Sequence, residues 1–111
     1  MKIDISGRHF HVGEPLKHYV TDKISKLDKF SLKLESFHVI LEVQKFLHVA
    51  EITALGKHLR VVSKADSSDM YAAFDKSFGS IQLQLRRFHD KVKDHKGRRY
   101  GKVSRDDAAE R

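Results

Sequence analysis

The chain has 111 residues, 40% of them hydrophobic, and carries a formal charge of +7 from 22 Lys and Arg against 15 Asp and Glu. That length supports one core burying roughly two-thirds of the unfolded surface and leaves no room for a second one. With no cysteine, disulfides, thiol chemistry and cysteine-based zinc sites are excluded; no run of signal-peptide or membrane-spanning length occurs, so a soluble, cytoplasmic protein is expected.

The first predicted element is "KIDIS", where Ile3 and Ile5 alternate with Lys2 and Asp4 in a short strand that Gly7 is expected to end. A helix follows. Gly13 and Pro15 suit its N-cap and first turn, and Leu16, Tyr19, Val20, Ile24 and Leu27 recur at helical spacing up to about Lys29. Three strands come next, "FHVILEVQK", "VAEITAL" and "LRVVSKA", the last two joined across "GKH", where Gly56 is expected to supply a positive φ. Ser67 or Ser68 caps a long second helix, with Met70, Phe74, Phe78, Ile81, Leu85, Phe88 and Val92 as its apolar stripe. Asp69 would then lie in the first helical turn, favoured by the helix dipole. Gly79 interrupts the helix at a cost of about 1 kcal/mol against Ala, and close approach of the first helix would account for it.

The order β-α-β-β-β-α predicts an α+β fold: a four-stranded mixed sheet with both helices packed on one face. The crossover through the first helix makes the first two strands parallel, and the last three form an antiparallel meander. The other face, with His38, Glu42, Gln44, Arg60 and Lys64, is left to solvent.

The charge is not spread evenly over this frame. Residues 86–105 hold nine basic and two acidic side chains, which is the whole excess of +7. Subtracting the apolar stripes leaves Lys76, Arg86, Arg87, Lys91 and Lys93 facing outward on the second helix, and Lys17, Lys23, Lys26 and Lys29 on the first. Two neighbouring helices presenting cations suit phosphate neutralisation, which follows nucleic-acid shape and backbone rather than base sequence.

The segments "TDKISKLDKF" and "SSDMYAAFD", in this element order, resemble the ribosome hibernation-promoting factor and ribosome-associated inhibitor A family, in its short form, over residues 1 to 96. The resemblance implies a stress or stationary-phase protein that binds small-subunit rRNA and whole ribosomes. It would occupy the region used by mRNA and by A- and P-site tRNA, compete with both, inhibit translation, and be a monomer off the ribosome. Carried over residue by residue, the implied rRNA contacts are Lys23, Lys26 and Lys29 on the first helix and Arg86, Arg87, Lys91, Lys93 and Lys96 on the second. Ser80 and Leu83 depart from the pattern, since many relatives are basic there.

No cofactor, metal site or enzymatic activity is expected. The eight histidines form no helical i, i+4 ligand pair, and no nucleophile–base pair or glycine-rich phosphate loop occurs. Residues 1–96 are read as a ribosome-binding domain and 97–111 as a flexible, basic tail, five residues basic and three acidic. The further domain of long-form relatives is not expected. A generic structured-RNA-binding module is the alternative; a membrane-surface role fails because the second helix's apolar stripe is needed to cover the sheet.

Overall fold

The computed structural model describes residues 1–27 and 33–97, the last six as backbone only. Its elements are β1 (Lys2–Arg8), α1 (Glu14–Ser25), β2 (Leu34–Gln44), β3 (Leu47–Gly56), β4 (Arg60–Ser67) and α2 (Met70–Gly97). The strands lie side by side in the order β1-β2-β3-β4, with β1 parallel to β2 and the other pairs antiparallel. This is the predicted α+β architecture.

Strand alternation decides which face is buried. Phe37, Val39 and Leu41 of β2 stand beside Ala54, Ile52 and Ala50 of β3; all six join one cluster with Leu16, Val20 and Ile24 of α1 and Phe74, Phe78, Ile81 and Leu85 of α2. Both helices therefore cover the same face. Small residues bring α2 close to β4: Ser63 and Ser77 are both buried, and the Ser63 hydroxyl donates to the Ser77 carbonyl at 2.7 Å. The Ser77 hydroxyl returns a bond to the Ser63 carbonyl at 3.3 Å, so neither buried polar group is left unpaired.

Several local expectations are corrected. β1 runs through Gly7 to Arg8; a Cβ at Gly7 would lie 2.2 Å from the Phe10 carbonyl oxygen, so this glycine admits the returning loop instead of ending the strand. Gly56 has no positive φ, and the β3–β4 connection closes with the Gly56 N–H donating to the Leu59 carbonyl at 2.9 Å. Among the described residues the left-handed ones are His9, Lys33 and Lys45. Regular α-helix in α1 stops at Ser25, short of Lys29. The cap of α2 is Asp69, not either serine: its Oδ1 accepts from the N–H of Tyr71 at 2.8 Å and of Ala72 at 3.3 Å, satisfying two donors that the helix start leaves open. A Cβ at Gly79 would meet nothing within 4 Å, so close approach of α1 does not explain that residue.

Candidate nucleic-acid interface

Two side-chain bonds fix α2 lengthwise on the outer edge of β4. Lys76 Nζ donates to the Asp66 carbonyl at 2.9 Å and Gln84 Nε2 to the Val62 carbonyl at 3.2 Å. From Lys76 to Gln84 the helix rises about 12 Å, and from Asp66 back to Val62 the strand spans about 13 Å. Helix and strand run in step. On the same count Phe88 is level with Arg60, where β4 begins, and the helix continues to Gly97, about 13 Å beyond the sheet.

Charge gathers toward this end of the molecule, Arg86 and Arg87 just before the helix passes the sheet and Lys91 beyond it. Arg86, Arg87 and Lys91 are exposed there, and no ion pair to any of the three is found among the described residues. Strand register brings further cations to the same end. Leu34 pairs with Gly56 and Leu55 with Arg60, so exposed Lys33, before β2, and exposed Lys57, in the β3–β4 connection, lie at the end of the sheet toward which α2 runs, with Arg60 on the open side of the sheet. Sequence reasoning missed Lys33 and Lys57. The meander it predicted already places both connections at the end where α2 finishes, and tracing that end would have found them.

The implied contacts on α1 differ from one another. Lys26 is exposed and 3.7 Å from Asp22, one turn back, a surface pair that water and salt largely screen. Lys23 is held between the helices. Its Nζ is 3.8 Å from Asp75 Oδ1 and lies 5.3 Å from the Tyr19 ring centre and 5.5 Å from that of Phe78, an ammonium clasped by a carboxylate and two ring faces. Asp75 also accepts from the Tyr19 hydroxyl at 2.7 Å. That hydrogen bond, with burial and the Asp75 charge in support, pushes the Tyr19 phenol up to about 12. Tyr71 meets Tyr19 edge-on, ring centres 5.0 Å apart. Lys23 is thus part of the link between α1 and α2, and its charge is already answered.

Lys29, the side chains of Lys93 and Lys96, and residues 98–111 lie outside the described residues. Among the described residues no group of three His, Asp or Glu could hold a metal ion, and no helix is long and apolar enough to cross a membrane.

An α+β domain with a basic, overshooting helix defines a class that comparison with known proteins makes specific. The profile of the family described as Sigma 54 modulation protein / S30EA ribosomal protein matches residues 3–93. The chain belongs to that family. A ribosome hibernation promoting factor of Salmonella typhimurium is 32% identical over 95 residues, covering 86% of this chain and all of that protein. One from Pseudomonas putida is 33% identical over 91 residues, covering 82% of this chain and 89% of its own. Among solved structures, the N-terminal domain of Thermus thermophilus Protein Y superposes with a TM-score of 0.73 at 27% identity, covering 79% of this chain and 99% of that domain. A ribosomal subunit interface protein from Coxiella burnetii shares the fold, with a TM-score of 0.74 at 18% identity, over 79% of this chain and 97% of that one.

Proposed function

We propose that this protein is a stress or stationary-phase ribosome-binding factor. It occupies the mRNA and A- and P-site tRNA region of the small subunit, inhibits translation, and promotes or modulates ribosome hibernation in the cytoplasm. The observation that carries the reading is its alignment along the whole length of relatives named ribosome hibernation promoting factors. The exposed cations at the end of α2 supply a physical means, since side chains with no carboxylate partner can neutralise rRNA phosphates without first breaking an ion pair. Binding of this kind needs no cofactor and no chemical step. Residues 1–96 carry it, as a monomer off the ribosome, and the tail from residue 97 onward tunes the outcome.

The test is the double reversal Arg86→Glu with Arg87→Glu, followed by co-sedimentation with small subunits and by cell-free translation. Each reversal replaces a phosphate attraction with a repulsion, so ribosome binding and inhibition should both be lost. Stability should change by no more than about 0.5 kcal/mol, because the two side chains are exposed. Unchanged sedimentation and unchanged inhibition would remove this surface from the mechanism. Equal binding of the parent protein to ribosomes and to free structured RNA would favour a generic RNA-binding module.

A further inference from the structure

The end of the molecule opposite the basic helix carries an aromatic side chain that the fold does not use. Gln44 pairs with Leu47 across a two-residue turn made by Lys45 and Phe46, with Lys45 in the left-handed region at φ 58°. Phe46 is 92% exposed, against 42% to 47% for the other exposed large hydrophobic residues, and no ring or cation packs on it among the described residues. The turn also stands clear of its neighbours. β1 stops where Arg8 pairs with Glu42, and β4 where Ser67 pairs with His48, so the β2–β3 ribbon projects past both edge strands. Its base is braced by the Phe10 ring set edge-on to His48, ring centres 6.4 Å apart. A short, braced turn offers the ring in one place at little conformational cost.

We infer that Phe46 is a stacking finger for an unpaired nucleobase, a second contact on the ribosome remote from the phosphate grip of α2. The inference rests on the ribosome-binding reading. A lone ring with one half-exposed leucine beside it lacks the area of a stable protein–protein interface, about 800 Å² per partner, whereas one ring is all that stacking on a single base requires. Local charge also favours a polyanion. From Val43 to Ala50 the ribbon carries Lys45 and His48 and no acidic residue. The nearest acidic side chains in register, Glu42 and Asp66, flank Val49, three residues back from the tip, and Glu42 faces Arg8 at 3.9 Å. Lys45, adjacent to the ring, is placed to meet the phosphate of the base that stacks.

Removing the ring should weaken binding without touching its electrostatics. Phe46→Ala in the full chain should lower affinity for purified small subunits by about 5-fold to 150-fold, the range expected for one stacked base. The dependence of affinity on salt should be that of the parent, because no charge is lost, and thermal stability should not move. The chain contains no tryptophan, so Phe46→Trp introduces a single indole reporter. It should restore affinity, and its fluorescence should be quenched on binding without a blue shift. Parent-like affinity in Phe46→Ala overturns the inference, as does a blue-shifted, unquenched indole, which would place the ring in an apolar protein pocket. If the parent chain itself fails to bind small subunits, the ribosome-binding reading fails first, and the two failures are told apart.

Discussion

Two groups of cations on the helical layer have the same chemistry and opposite circumstances. Lys23 on α1 is half-buried and already meets Asp75, Tyr19 and Phe78; Arg86, Arg87 and Lys91 on α2 have no ion-pair partner among the described residues. The first arrangement spends its charge on holding two helices together. The second leaves it for a partner outside the chain. A basic residue at a family-matched position is therefore not automatically a nucleic-acid contact, and its neighbours decide which role it takes.

The sharpest way to break this contrast is to measure how binding responds to salt. For about six phosphate contacts, affinity should fall roughly 10³-fold between 50 and 200 mM salt. Replacing Arg86 and Arg87 together with alanine should reduce the slope of log affinity against log salt by about two. Lys23→Met should leave that slope unchanged, because an ammonium already paired displaces no counterion from the RNA. A slope lowered by about one in Lys23→Met would make Lys23 a direct contact and erase the distinction.

Stability supplies the converse test, with smaller effects. Asp75→Asn removes the charge that answers both Lys23 and the Tyr19 hydroxyl, and should cost about 1 kcal/mol, read as a denaturant midpoint shift; the site's partial exposure holds the effect below the usual range for hydrogen bonds to charged groups. Tyr19 adds a pH signature. Its folded-state pKa of about 12 is raised above the ordinary 10.0, so its contribution is fully present below about pH 10 and is lost as pH climbs toward 12. A Tyr19→Phe variant should lack that alkaline decline in stability, while the parent's phenolate absorbance should show one tyrosine titrating late. Matching alkaline profiles would mean that the Tyr19–Asp75 bond does not persist in solution.

Element order, sheet topology and the buried stripes were legible in the sequence because each depends on hydrophobic period, a local and repeated signal. Asp69 was misplaced by a residue because three consecutive residues, Ser67, Ser68 and Asp69, all favour helix starts, and only backbone geometry selects among them. What Lys23 meets within the fold was not legible, because Asp75 and Phe78 lie more than fifty positions later. The outward direction of Arg86 and Arg87 was readable from spacing alone, since Leu85 and Phe88 on either side face the core. Lys33 and Lys57 join them only through strand register, which period does not specify. Phe46 carried no signal, because its exposure is set by how far the ribbon outruns its neighbours.

The smallest expected effect joins the two regions. Gly79 sits on α2 between Asp75 and Phe78, which meet α1, and the free Arg86 and Arg87, is exposed, and has open space where a Cβ would go. Nothing in the fold requires a glycine there, so Gly79→Ala should stabilise the protein by about 0.5 to 1 kcal/mol through helix propensity and a less disordered unfolded chain. If the basic end is a rigid continuation of a helix already fixed on β4 by Lys76 and Gln84, affinity for small subunits should not change, because both anchors are in place with glycine present. If the helix must bend at Gly79 to seat its cations, the same substitution should raise stability and weaken binding together. Measuring both quantities on this one variant therefore shows whether the two regions act as independent parts of a straight helix, and a stabilised protein with reduced affinity would reject that picture.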